Sequence, residues 1–214
     1  MRALALAAIV VSTGQAFADD DGLRIQGLGQ VDATAVDAVL APRTPDVQKC
    51  FSEGLGRFRY LAGTLELRVR VTREGAVKTV AASQPIGDLA VERCAAAVVR
   101  AQKFPAPSGG LEAEFDYRWQ LAAQAPLQNW STADVGAVVG KHRNELRPCE
   151  RLGNVPPSVR VTFYVMPGGK VSSVGVGAAS SKLDEKYAQC VADKITTWRF
   201  ADPLGKVARA TYQF

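Results

Sequence analysis

Two stretches of the chain alternate apolar and polar residues along their whole length. In residues 65–71 (LELRVRV) and 159–165 (VRVTFYV), every odd position is apolar. A period of two with one apolar face predicts a strand that is buried on one side. Turns that contain glycine, TREG and MPGG, follow the two stretches directly. Each stretch is therefore expected to form a hairpin with the strand that comes after it.

The second strand of each hairpin departs from strict alternation. Its apolar positions are Val77 and Val80 in the first case, and Val171 and Val174 in the second. A spacing of three would place the two side chains on opposite faces of a regular strand. The spacing therefore predicts a β-bulge at this point in both hairpins.

The segments before the hairpins are related to each other and read as helices. Residues 32–50 and 131–149 align without a gap, and each begins with a residue, Asp32 or Ser131, that favours a helix start. The segments after the hairpins, near Cys94 and Cys190, carry apolar residues at helical spacing. Pro105 and Pro203 then stop these second helices.

A final alternating strand closes each copy, at residues 111–119 and 208–214. The order helix, strand, strand, helix, strand thus occurs twice, which indicates an internal repeat. We expect an α+β fold of two tandem two-layer domains, each a three-stranded antiparallel sheet with two helices on one face and solvent on the other. The expected boundaries are 31–120 and 130–214.

The first 18 residues have the composition of an export signal. They contain one arginine, an apolar run and an Ala-Phe-Ala end. The run is too short to span a bilayer, which takes about 20 apolar residues. We predict a signal peptide at 1–18 that is cleaved, a periplasmic location, and no integral membrane segment after cleavage.

The four cysteines are interpreted through the repeat and the expected export. Each copy has one cysteine near the end of its first helix and one in its second helix, so the simplest pairing is Cys50 with Cys94 and Cys149 with Cys190. Pairing is typical of an oxidising compartment. Three connectivities exist in principle, and buried free thiols are the alternative.

No group of residues has the spacing of a known catalytic or metal site, so we predict no enzyme activity, no cofactor and no metal. The single histidine, His142, lies among charged residues and is interpreted as a surface residue. Asp88 and Asp184 occupy matching positions before the second helices and read as helix-start residues rather than as paired catalytic acids.

The charge pattern argues against nucleic acid as a ligand. The formal net charge is +5, but lysine and arginine are scattered among acidic residues instead of forming a stripe. Glu66, Arg68 and Arg70 on the first strand are interpreted as a solvated face, with a charged partner surface as the alternative.

The second copy resembles the AgmX/PglI carboxyl-terminal domain, a TonB-like module of bacterial envelope proteins that is associated with gliding motility. The matching residues are Cys149, Phe163, Gly169, Val171, Asp184, Cys190, Trp198, Phe200, Pro203, Gly205, Tyr212 and Phe214. The first copy matches more loosely, and Pro42, Pro45 and Pro148 interrupt the first helices. The resemblance covers nearly all of the chain after the signal, and it implies a TonB C-terminal-like fold.

The resemblance also implies a binding module rather than an enzyme. TonB-like domains pair with a short strand from a receptor, so the expected partners are envelope proteins, such as an outer-membrane receptor or a motility or transport component. The candidate edge strands carry Phe115, Tyr117 and Trp119 in the first copy, and Tyr212 and Phe214 in the second. The alternative is a peptidoglycan-associated or scaffold protein of an envelope transport or motility complex.

Overall fold

The computed structural model describes residues 28–214, so the signal peptide predicted at 1–18 lies outside the described residues. The helices and strands, in chain order, are α1 (Ala33–Leu40), a 3-10 turn (Ala41–Arg43), α2 (Thr44–Arg57), β1 (Gly63–Val71), β2 (Val77–Gln84), α3 (Leu89–Arg100), a 3-10 turn (Ser108–Gly110), β3 (Ala113–Leu121), β4 (Gln128–Trp130), α4 (Thr132–His142), a 3-10 helix (Arg143–Arg151), β5 (Val159–Val165), β6 (Val171–Ala178), α5 (Glu185–Thr196) and β7 (Ala208–Gln213). We refer to residues 31–120 as repeat 1 and to residues 130–214 as repeat 2.

The strands of repeat 1 form an antiparallel sheet in the order β2-β1-β3, called sheet 1 here. The alternating apolar residues of β1 are fully buried against helices α1, α2 and α3. The core members that represent these elements are Leu40, Val47, Leu67, Val69, Val91 and Ala95. The α+β character and the three-stranded sheet are as predicted.

The strands of repeat 2 form a four-stranded mixed sheet in the order β4-β7-β5-β6, called sheet 2 here. The prediction of three antiparallel strands is wrong here, because the chain enters the repeat through a short strand, β4. Residues Gln128–Trp130 pair in parallel with Ala208–Ala210 of β7. The sequence QNW is too short to show a strand period, so the pattern gave no sign of it.

The predicted hairpins and bulges are confirmed in both repeats. The pairing register slips next to Val71 in sheet 1 and next to Val165 in sheet 2, at the matching place in each hairpin. The turn glycines Gly75 and Gly169 have positive φ values of 80° and 76°. Each turn approaches the exit of the second helix closely, since Phe104 N donates to Gly75 O and Phe200 N donates to Gly169 O, both at 2.9 Å. A Cβ atom at either glycine would collide with that phenylalanine's carbonyl group.

The helix starts were predicted correctly, but the first helix of each repeat is interrupted. Asp32, Asp88 and Asp184 are N-caps whose carboxylates accept from backbone N–H groups of the first turn. The 3-10 turn Ala41–Arg43 separates α1 from α2, and the 3-10 helix Arg143–Arg151 follows α4. Proline lacks an N–H and cannot continue a regular α-helix, which explains the break at Pro42. Pro148 lies inside the 3-10 helix, where its missing N–H prevents a regular α-helix from continuing.

The predicted cysteine pairing is confirmed. Cys50 bonds to Cys94 and Cys149 bonds to Cys190, with Cα atoms 5.8 Å and 5.5 Å apart. Within residues 28–214 no cysteine is free. The first bridge ties the middle of α2 to α3, and the second ties the last turn of the 3-10 helix Arg143–Arg151 to α5.

Candidate functional site

The most accessible edge in sheet 1 belongs to β3. One side of β3 pairs with β1 over the full length Ala113–Leu121. On its other side, the described chain contributes a single parallel bridge, from Gly29 to Ala113. The backbone from Glu114 to Leu121 therefore has no strand partner on its outer side within residues 28–214. An edge of this kind can receive a further strand.

The three predicted aromatic residues of β3 lie on the core side of that edge. Phe115 packs edge-on against Phe104 with ring centroids 5.0 Å apart, and Tyr117 lies 4.7 Å from Trp119. Trp119 is buried and donates from Nε1 to Thr44 Oγ1 at 3.3 Å. Burial raises the pKa of Tyr117. These rings fix the strand to the core, so a ligand at this edge would contact mainly the backbone and the partly exposed rings of Phe115 and Tyr117.

Charged residues cover the outer face of sheet 1, which is the face away from its core. Arg68 donates to both oxygens of Asp116 at 2.8 and 2.7 Å, and this hydrogen bond raises the pKa of the guanidinium. Arg118 contacts Glu66 at 2.7 Å, and Arg70 contacts Glu114 at 3.4 Å. Direct pairing of β1 with β3 places these opposite charges side by side. The solvated face expected for Glu66, Arg68 and Arg70 is thus a network of cross-strand ion pairs.

A segment of repeat 2 lies over part of this charged face. Arg68 also donates to Ala179 O, and Ser181 Oγ donates to Glu114 at 2.8 Å. Thr79 Oγ1 donates to Ser181 Oγ at 2.9 Å, so strand β2 is contacted as well. Ser181 is buried by these contacts. The outer face of sheet 1 is therefore only partly open to a partner.

The other predicted edge strand, β7, is not an edge along its first half. Strand β4 covers Ala208–Ala210, which leaves Tyr212 and Phe214 beyond the covered part. The two rings contact each other at 5.3 Å, and Phe214 N donates to Val159 O at 2.9 Å. The structure thus places the predicted aromatic residues on two different sheets and does not bring them together.

The outer face of sheet 2 is buried against repeat 1, contrary to the expectation that this face is solvated. Tyr164 is fully buried, and its hydroxyl lies 3.0 Å from Ala62 N, Ala62 O and Ile86 O. Burial raises the pKa of this phenol to about 12. Gly175 leaves no room for a Cβ beside Gly87, and Arg209 donates to Ala62 O at 2.8 Å. The two repeats therefore pack directly on each other.

A buried carboxylate joins the repeats at the same interface. Glu92 of α3 accepts from Ile86 N at 2.8 Å, from Gly87 N at 3.0 Å and from Val176 N at 3.0 Å. Val176 belongs to β6, the outermost strand of sheet 2, so the carboxylate binds a backbone N–H at that sheet's edge. Burial raises the pKa of Glu92 to about 8, although its three N–H donors favour the ionised form.

The interface residues were missed by the sequence analysis. A glutamate on a helix is expected to be solvated, and a tyrosine at the polar position of a strand is expected to be partly exposed. One signal was available: Gly175 and Gly177 alternate on the same face of β6, and glycines in a strand often mark close approach of another backbone. A Cβ at Gly177 would lie 2.6 Å from Ala82 O, so this approach is real.

His142 is three-quarters buried rather than a surface residue, with a side-chain exposure of 25%. Its ring stacks on Trp198 at 5.5 Å, and its Nδ1 lies 2.7 Å from Glu145 Oε1. Trp198 Nε1 donates to the other oxygen of Glu145 at 3.0 Å. The hydrogen bond with His142 lowers the pKa of Glu145. This group holds the 3-10 helix against the end of α5, and no nucleophilic side chain takes part in it.

Two further properties concern the whole described range. Between residues 28 and 214, no three histidine, cysteine, aspartate or glutamate side chains are grouped as a metal ion would require. None of the helices in this range combines the length and apolar character needed to cross a membrane.

Comparison of the chain with protein-family models, with curated proteins and with solved structures gave no match.

Proposed function

We propose that this protein is a non-enzymatic binding module of the bacterial cell envelope, which captures an extended segment of a protein partner along the edge of β3. It consists of two tandem TonB-like domains, 31–120 and 130–214, and it acts in the periplasm after removal of residues 1–18. The resemblance to the AgmX/PglI domain suggests this family. The two disulfides favour an oxidising compartment, in agreement with export.

The observation that carries the proposal is the open edge of β3 from Glu114 to Leu121. The N–H and C=O groups along this edge provide affinity for any extended chain, while alternate side chains provide specificity. On the core side the partner would contact Phe115 and Tyr117, and on the outer face it would contact Asp116 and Arg118. A partner segment with an apolar residue at every second position fits this arrangement. An outer-membrane receptor or a motility or transport component is the class of partner implied.

The edge can be tested by placing a photo-cross-linking residue at Gln120, which is exposed on β3, and at Lys186, which is exposed on α5, as the matched control. We expect Gln120 to cross-link to an envelope protein through a defined segment, and Lys186 not to do so. A synthetic peptide of that segment should then slow hydrogen exchange at the backbone amides of residues 114–121. Unchanged exchange of these amides in the presence of a bound peptide would contradict the proposal.

A peptidoglycan-associated or scaffold role is the second candidate, and one feature of repeat 2 favours it. Lys141, Arg143, Arg147 and Arg151 are exposed along α4 and the following 3-10 helix. In the described part of the chain, none of the four forms a salt bridge. These positive charges are therefore available to bind an anionic polymer. Co-sedimentation with purified cell wall, lost in the fourfold Ala variant and at moderate salt, would support this role.

A further inference from the structure

The open edge of β3 is complementary to itself. The sequence of residues 114–120 is EFDYRWQ, with Tyr117 at its centre. If two copies of this strand pair antiparallel about Tyr117, Asp116 of each copy faces Arg118 of the other. In the same register, Glu114 faces Gln120 and Phe115 faces Trp119. A two-fold interface needs a surface patch that matches itself in this way.

We propose that β3 pairs with β3 of a second copy of this chain, so that two three-stranded sheets join into one continuous antiparallel sheet. The closed two-fold arrangement uses up the open β3 edge of both copies, so no further strand can be added at that edge.

Charge selects this register over its neighbours. Shifting the second strand by two residues keeps the faces matched, but then Arg118 faces Arg118 in one direction, or Asp116 faces Asp116 in the other. Like charges placed directly opposite each other are destabilising, whereas the register centred on Tyr117 has none. A one-residue slip would turn the aromatic face of one strand toward the charged face of the other. A single register is thus favoured.

The intramolecular ion pairs hold the two charges in position for this contact. Asp116 is held by Arg68 at 2.7 Å, and Arg118 is held by Glu66 at 2.7 Å. Arg118 nevertheless has a side-chain exposure of 72%, and Asp116 of 31%. Pairing of two copies would extend each ion pair into a row of four alternating charges. The side chains are already ordered, which lowers the entropic cost of association.

The length of the contact is limited by the chain itself. Gly29 N donates to Glu112 O at 2.8 Å, and Gly29 bridges to Ala113, so the first residue of β3 is already covered. The register centred on Tyr117 uses residues 114–120 of each copy and does not need Ala113. The part of the β3 edge that Gly29 leaves open is therefore the same part that the self-pairing requires.

The inference of a dimer stands on the β3 geometry alone, while its regulatory meaning rests on the proposed function. Self-pairing and capture of a partner segment would compete for the same backbone groups. Partner binding would then require the monomer, and the apparent affinity would fall as the concentration of this protein rises.

The test is the oligomeric state of the chain beginning at residue 19, measured by analytical ultracentrifugation over a range of concentrations. We expect a reversible dimer in the wild type. Asp116→Arg places arginine opposite arginine twice, and Arg118→Asp places aspartate opposite aspartate twice, so each variant should weaken the dimer by at least about tenfold. Glu53→Arg, an exposed charge reversal on α2, is the matched control and should leave the dimer unchanged.

Mixing the two variants gives the decisive result. Asp116→Arg chains present two arginines to the two aspartates of Arg118→Asp chains, so the equimolar mixture should form a heterodimer although neither variant self-associates. Thermal unfolding of each variant checks that it is folded. A wild type that stays monomeric, or a dimer that persists in both variants, would overturn the inference. Partner-induced protection of residues 114–121 in a monomeric protein would overturn the dimer and leave the proposed function standing.

Discussion

The outer faces of the two sheets occupy the same positions of the sequence repeat, yet their environments are opposite. Arg68 and Arg70 of β1 align with Thr162 and Tyr164 of β5. The arginine side chains are exposed by 28% and 27%, whereas Thr162 and Tyr164 have relative exposures of 1% and 0%. The alternation of apolar residues is the same in both strands. The period alone therefore does not determine whether the outer face of a sheet is exposed to solvent.

The difference arises from what the opposite strands provide. On sheet 1, β3 supplies acidic residues that pair with the arginines of β1. On sheet 2, β6 supplies Gly175 and Gly177, which let the backbone of repeat 1 approach closely. The neighbouring strand therefore determines whether the outer face of a sheet is exposed or buried. In repeat 1 it does so by supplying charged side chains, and in repeat 2 by lacking side chains.

The largest expected effect on stability comes from removing the buried side chain of Tyr164. Tyr164→Ala should lower the free energy of unfolding by about 4 kcal/mol, because it removes a buried ring and takes the hydroxyl partner away from Ala62 N and Ile86 O. Arg70→Ala, at the aligned position of sheet 1, should cost at most about 1 kcal/mol. Urea unfolding with both disulfides intact measures both values. Equal losses would mean that the two faces do not differ energetically.

Removal of a disulfide should cost about 3 kcal/mol in either repeat. The bridges span 44 and 41 residues, so the constraint they place on the unfolded chain is nearly the same. Urea unfolding of the Cys50→Ala/Cys94→Ala and Cys149→Ala/Cys190→Ala variants makes the comparison. A clearly larger loss for one pair would show that the length of the closed loop does not set the stabilisation in that repeat.

The pH dependence of stability should carry the signature of Glu92. Its pKa is about 8 in the folded protein, above the value of an exposed glutamate, so the folded state binds the extra proton between about pH 4.5 and about 8. Stability contributed by this group should therefore be fully present below about pH 4.5 and should fall as the pH rises through that window.

Glu92→Gln provides the control for this prediction. Glutamine keeps the size of the side chain and does not titrate, so the slope over the window should flatten. The aligned residue in repeat 2 is Ala188, which offers no such group. Thermal unfolding at a series of pH values measures the slope, and an unchanged slope in the variant would contradict the assignment.

The smallest effect is expected from the ion pairs on the outer face of sheet 1. A double-mutant cycle with Arg68→Ala and Asp116→Ala should give a coupling energy of about 0.5–1 kcal/mol that decreases with added salt, because both side chains are partly exposed. The same cycle in high salt is the control. A coupling that salt leaves unchanged would mean that the pair is effectively buried by the segment around Ser181.

Local structure could be predicted from the sequence because local chemistry determines it. The period of two gave β1 and β5, aspartate gave the N-caps at Asp32, Asp88 and Asp184, and the spacing of Val171 and Val174 gave a bulge. The cysteine pairing followed from the repeat. Each of these features depends on residues within one element or on equivalent elements of the two copies.

Contacts between the repeats could not be predicted in the same way. Tyr164 binds Ala62, which is 102 residues away, and nothing in either local segment encodes the other. The same holds for β4, whose three residues become a strand only because β7 lies beside them. The candidate edge at β3 was found because its alternation is local, while the cover over β7 was missed because it comes from a distant segment.

The contacts of the Tyr164 hydroxyl can form only when the two repeats dock onto each other. Its three backbone contacts come from two loops of repeat 1, separated from it by 102 and 78 residues. Contacts so distant in sequence are slow to form, because closing the long intervening loop costs conformational entropy. The N-terminal repeat is synthesised first and can present both loops before β5 exists. Burial of the Tyr164 side chain should therefore coincide with the docking of repeat 2 onto repeat 1.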